Sequence, residues 1–136
     1  MSTAIAFTVL GDPVPQPRPR VTTRGGHGHA YTPASHAIHG YRQSVALAAK
    51  AAGCEPHDQA VSVVIDFVFA RPKSHLRSSG EPKPSAPSLP RPDVDNAAKA
   101  VLDSLNGIAW ADDSQVSRLL VEKSYGKEGR TTVRIS

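Results

Sequence analysis

Ala60-Val61-Ser62-Val63-Val64-Ile65-Asp66-Phe67-Val68-Phe69 sets Val61, Val63, Ile65, Phe67 and Phe69 on one side of an extended chain and Val64 and Val68 on the other. A run that is apolar on both sides with a period of two suits a strand buried on both faces, so it predicts the central strand of a sheet. Asp66, its polar exception, is read as a strand residue satisfied by hydrogen bonds rather than as a metal ligand. Upstream, residues 3–10 alternate Ile5, Phe7 and Val9 against smaller or polar neighbours, which predicts a strand with one buried face. Downstream, residues 116–125 and 130–135 predict two final strands joined across Gly126-Lys127-Glu128-Gly129.

Two segments carry helical periodicity instead. Ile38, Tyr41, Val45, Ala48 and Ala52 recur at spacings of three and four within residues 35–52, and Gly53 supplies the stop. Residues 93–105 place Val94, Ala98, Val101, Leu105 and Ile108 on a core stripe, with Asp95, Lys99 and Asp103 on the opposite face and Asn106-Gly107 ending the helix. Between the first strand and the first helix, Pro13-Val14-Pro15-Gln16-Pro17-Arg18-Pro19-Arg20 is too proline-rich for a helix and should hold Arg18 and Arg20 on an extended backbone. Residues 21–23 and 29–32 predict a hairpin around Arg24-Gly25-Gly26-His27-Gly28. Residues 71–92 hold six of the twelve prolines and five basic residues without apolar periodicity, which predicts a long, basic, mobile loop that orders on DNA. The whole predicts one domain over residues 1–136, an α+β (mixed α/β) fold in which two helices pack on a mixed sheet.

At 136 residues such a domain needs no disulfide, and Cys54 is the only cysteine. A lone cysteine suits a reducing compartment, and neither a signal peptide nor about 18 consecutive apolar residues occurs, so the expectation is a cytoplasmic protein with no membrane role. The chain is formally +4 at pH 7, yet five of its twelve acidic residues fall between Asp93 and Asp113. An acidic island between basic flanks points to a metal site serving a polyanion: crowded carboxylates repel until a cation neutralises them, and Mg²⁺ takes one or two carboxylates plus phosphate oxygens.

Asp93 and Asp95 flank Val94 at a helix start, where a plain capping role competes with metal binding. Lys99, one turn after Asp95, can point to the same phosphate, and a return of the chain at Asp112-Asp113 would bring Asp113 back to Asp93 and Asp95. Three carboxylates and a lysine suffice for metal-assisted phosphodiester hydrolysis without a histidine base. The six histidines have no cysteine partners for a zinc site, and Ser114 and Cys54 have no base at a recognisable spacing.

The segments Pro13 to Arg20, Tyr31-Thr32-Pro33, Arg91-Pro92-Asp93-Val94-Asp95-Asn96-Ala97-Ala98-Lys99 through Gly107, and Trp110-Ala111-Asp112-Asp113-Ser114-Gln115-Val116 together resemble the RusA family of Holliday junction resolvases, in the same order and over most of the chain. The resemblance implies a crossover junction endodeoxyribonuclease of bacterial or phage origin. It implies a homodimer that resolves four-way DNA junctions by paired symmetric nicks in recombination and repair, with Mg²⁺ or Mn²⁺ at each site. By position, Asp93, Asp95 and Asp113 match the catalytic metal-binding aspartates and Lys99 the essential lysine, with Asp112 the neighbouring acid. Arg18 and Arg20 match basic residues expected on DNA, joined by Lys99 and by Arg91 of the basic loop. Leu89-Pro90-Arg91-Pro92 stands where some relatives carry an aromatic wedge.

Two other readings stay open from the residues alone. The same catalytic parts would serve a nuclease acting on flaps or other branched replication intermediates. A non-catalytic DNA-binding module would use the acids only as caps. An RNA-binding fold is disfavoured, because seven aromatic residues in the whole chain leave few bases a stacking partner.

Overall fold

A computed structural model describes residues 4–136 except Arg24 and His27, and describes Arg20 by its backbone alone. Among the described residues six strands form, β1 (Ile5–Leu10), β2 (Arg20–Thr22), β3 (His29–Tyr31), β4 (Val61–Ala70), β5 (Val116–Gly126) and β6 (Arg130–Ile135), with two α-helices, α1 (Ile38–Ala51) and α2 (Val94–Leu105). The main sheet runs β1-β6-β4-β5, and β2 and β3 make a separate antiparallel hairpin. β4 is central as its sequence predicts: β6 pairs it antiparallel on one side and β5 pairs it parallel on the other, reached through α2. The architecture is the expected small α+β domain.

The last two strands are consecutive in sequence but not neighbours in the sheet. After β5 the chain crosses the end of β4 and enters as β6 between β4 and β1. That short crossing needs close backbone approach, which glycine permits. A Cβ on Gly126 would sit 2.6 Å from Val68 Cγ1, and one on Gly129 would sit 2.6 Å from the Asp12 backbone nitrogen. Gly129 O accepts from Gly11 N–H at 3.0 Å, and the Asp12 carboxylate accepts from Ala70 N–H at 2.9 Å, so the turn after β1 closes over this end of the sheet.

Both helices lie on one face. Phe7, Val9, Val61, Val63, Ile65, Phe67, Val133 and Ile135 point into a core with Ile38, Tyr41, Val45 and Ala49 of α1 and Ala97, Ala98, Ala100, Val101 and Leu105 of α2. The expectation that β4 is buried on both sides is therefore corrected. On its second face Val68 is buried, but Val64 and Asp66 are only half-buried, because no helix layer among the described residues covers that side. Asp66 sits there, on the face opposite α2. The core stripe of α2 is also corrected: Val94 is 38% exposed, and the small Ala97 and Ala100 take the buried positions. Residues 71–92 are not a featureless connection. They contain a 3₁₀ turn at Lys73–His75 and a Leu76–Pro82 bridge, and Arg71 both stacks over Tyr125 at 4.5 Å and donates to Pro87 O.

One polar contact inside the core has a pH signature. Tyr41 of α1 and Thr131 of β6 share a 2.6 Å hydroxyl hydrogen bond, and Thr131 is fully buried. Burial keeps the phenol neutral and pushes its pKa from 10.0 up to about 12. Below pH 10 the phenol is neutral in both folded and unfolded chains. Between pH 10 and 12 only the unfolded chain ionises, so stability should fall there by up to about 3 kcal/mol. Denaturant unfolding of the wild type and Tyr41→Phe across this range checks it, since the variant loses this part of the slope.

Candidate metal and nucleic-acid site

Prolines at 90 and 92 keep the chain extended up to the start of α2, and Lys123 of β5 donates to Pro92 O at 2.9 Å, fixing where the helix begins. Asp93 occupies the N-cap position with extended backbone, yet its carboxylate accepts no capping hydrogen bond. Asp95 sits in the first turn, exposed, accepting from Asn96 N–H at 2.9 Å. The cap therefore falls on Asp93 rather than Asp95, and neither carboxylate is tied to the N–H groups deeper in the first turn that a cap ordinarily satisfies.

The proline-rich segment lies against this helix start. Gln16 N–H donates to Asn96 O at 2.9 Å, and Arg42 of α1 donates to the Gln16 side chain. Arg42 also lies 3.7 Å from Asp103, which lies 3.7 Å from Lys99. These contacts bring residues 16–19 beside Asp93, Asp95, Asn96 and Lys99 around one open groove of about 440 Å³. Arg18 thus shares a groove with two carboxylates and a lysine. Sequence reasoning missed Gln16 and Arg42 as the groove's supports, and no pattern marks them. Asp103 was visible at four residues from Lys99, on the face already assigned to Lys99.

Asp113 is placed differently. It begins a 3₁₀ turn, Asp113–Gln115, that packs on α2, and it does not line the groove. Among the described residues, no three His, Cys, Asp or Glu side chains form a group able to hold a metal ion, so the expected return of Asp113 to Asp93 and Asp95 is not seen as a ready triad. Asp112 has a structural task. Its carboxylate accepts from Ser114 N–H, and hydrogen bonding from the Ser114 side chain, then from that N–H, lowers its pKa, while the Gln115 side chain accepts from Ala111 and Asp112 N–H and donates to His57 O and Gln59 O. This capping box anchors the turn and leaves the half-buried Asp113 carboxyl outside it.

Arg91 lies next to the groove rather than in it, lining a neighbouring cavity with Asp12, Phe69 and Tyr125. The side chain of Arg20 lies outside the described residues. Three of the described histidines have ring hydrogen bonds of a structural kind: His36 Nδ1 accepts from Ile38 N–H, His39 bonds Pro33 O and His57 bonds Ala109 O. Burial pushes the Cys54 thiol pKa up, away from a reactive thiolate. No helix among the described residues is long and apolar enough to cross a membrane.

Comparison with known proteins extends the match. The family model described as Endodeoxyribonuclease RusA matches residues 11–136. A Bacillus subtilis (strain 168) protein, "Uncharacterized protein YqaN", is 39% identical over 136 residues, covering 96% of this chain and 94% of its own length.

Proposed function

The chain belongs to the RusA endodeoxyribonuclease family, and from that premise we propose that it is a metal-dependent, structure-selective endonuclease that resolves four-way DNA junctions by paired symmetric nicks. The observation that carries this reading is the groove at the start of α2, where Asp93, Asp95 and Lys99 meet Arg18. The donor set fits Mg²⁺ or Mn²⁺: hard carboxylate oxygens, with no thiolate and with one carboxylate at a cap position that makes no capping bond. Asp93 and Asp95 would hold the ion in that groove. Asp113, at the family's third acidic position, would complete the set. The ion would supply neutralisation of phosphoryl charge and activation of the attacking water.

The chain's own residues do the rest. Lys99 orients a phosphate oxygen of the scissile strand, and Asp103, ion-paired to both Lys99 and Arg42, positions it. Arg18, Arg20 and Arg91 grip flanking phosphates, which fix the register of the duplex arms without reading sequence. A homodimer places two such grooves on opposed strands of a two-fold junction. A bacterial or phage cytoplasmic setting suits that task.

Incubating the protein with an end-labelled four-way junction and Mg²⁺ or Mn²⁺ should give symmetric nicks, and chelator should abolish them. Equal cutting of flaps would favour a general branched-DNA nuclease. Salt-sensitive binding with no product under any divalent ion would favour a non-catalytic binding module.

A further inference from the structure

β5 is an eleven-residue strand at the edge of the sheet. Among the described residues, no backbone hydrogen bond outside its ladder with β4 involves residues 117–124. Long, apolar, unprotected edges are templates for pairing, and this one exposes Leu119 at 42% and Leu120 at 44%, beside Val94 of α2 at 38%. Its register with β4 sets Arg118, Leu120 and Glu122 on the open face, opposite Ser62, Val64 and Asp66. Glu122 therefore sits directly across from Asp66, a like-charge pair that destabilises a sheet. Among the described residues, none of Arg118, Glu122 and Asp66 forms an ion pair.

We propose that β5 pairs antiparallel with β5 of a second copy of this chain, about a two-fold axis passing at Leu120 perpendicular to the sheet. Such an axis keeps each residue on its own face, so only registers in which opposed residue numbers share parity are allowed. Centring on Leu120 opposes Arg118 to Glu122 of the partner subunit, twice by symmetry, and opposes Leu120 to its own copy. The cation brought to Glu122 also relieves its repulsion from Asp66. On the helix face the same register sets Leu119 beside Val121 of the partner subunit, next to Val94. Centring one residue earlier opposes Arg118 to leucine, and one residue later opposes Glu122 to leucine. Charge complementarity thus selects one register. The product is a continuous sheet with both helix layers, and so both α2 grooves, on the same side.

This inference specifies the dimer named in the proposed function, but it is tested on protein free of metal and DNA, so its outcome is independent of cleavage. Light scattering after gel filtration should give the mass of two chains for the wild type and of one chain for Leu120→Lys. Arg118→Glu and Glu122→Arg alone should each weaken the dimer about tenfold or more, and the double reversal should restore it. In a Cys54→Ala background, Leu120→Cys should cross-link under mild oxidation, since opposed Cα atoms lie about 5 Å apart, within disulfide reach. Ser117→Cys should not, since its copy lies roughly 20 Å along the strand. Unchanged circular dichroism confirms that each variant folds. A monomeric wild type, a dimer that survives Leu120→Lys, or reversals that fail to rescue each other would overturn the proposal.

Discussion

Asp95→Asn is expected to reduce junction cleavage by about a thousandfold, roughly 4 kcal/mol of transition-state stabilisation, while junction affinity changes only a few fold. The substitution keeps the side-chain volume and an oxygen able to accept from Asn96 N–H, as the Asp95 carboxylate does. Asparagine is also well tolerated at helix starts, so a merely structural aspartate would be replaced with little effect on stability or activity. What the change removes is negative charge, the property a hard cation requires. Asp93→Asn should behave likewise, because the Asp93 carboxylate makes no capping bond that its loss would disturb. Single-turnover cleavage with saturating Mg²⁺, alongside a binding isotherm in chelator, separates the two effects. Wild-type cutting by Asp95→Asn would remove this residue from the site.

Trp110→Ala should destabilise the fold by about 3–5 kcal/mol, a large share of the stability a domain of this size holds. Trp110 is fully buried, and its indole N–H donates to Asn106 Oδ1 at 2.8 Å. Its carbonyl accepts from Gly107 N–H at 2.6 Å, and the residue forms bridges with both Asn106 and His57. It is the plug around which the chain turns from the end of α2 toward Asp112 and Asp113. Trp110→Phe keeps most of the volume and loses the donor, so its penalty should be about 1–2 kcal/mol. Chemical denaturation followed by circular dichroism measures both, since the only tryptophan is the residue replaced. A midpoint unchanged in Trp110→Ala would contradict the packing described.

Elements were legible where side chains advertise a period. Ile5, Phe7 and Val9 alternate, the run from Val61 to Phe69 alternates, and Tyr41, Val45 and Ala48 repeat helically. Pairing was not legible, because periodicity gives a strand's buried face and not its neighbour. Residues 126–129 read as a simple link between two strands, whereas the chain there steps across β4. The stripe of α2 was misplaced at Val94 because alanine gives little contrast: Ala97 and Ala100 carry the burial that a larger residue would have announced. In the site, Asp93, Asp95 and Lys99 stood out by spacing and by family pattern. Gln16 and Arg42 did not, since a hydrogen bond between a proline-rich segment and a helix leaves no local signature. The position of Asp113 depends on a turn held by Gln115, whose four side-chain hydrogen bonds are long-range as well as local.

The place of β6 in the sheet bears on how the molecule is made. β1 precedes the other five strands along the chain and, among the described residues, pairs with β6 alone. Until translation passes Ile135, the edge of β4 that β6 will occupy stands open and Phe7 and Val9 have no strand to lie beside. Closure of the interior is then a late, long-range event, slow by topology. A nascent chain stalled before this segment has emerged would display sticky apolar surface and depend on chaperones for its survival.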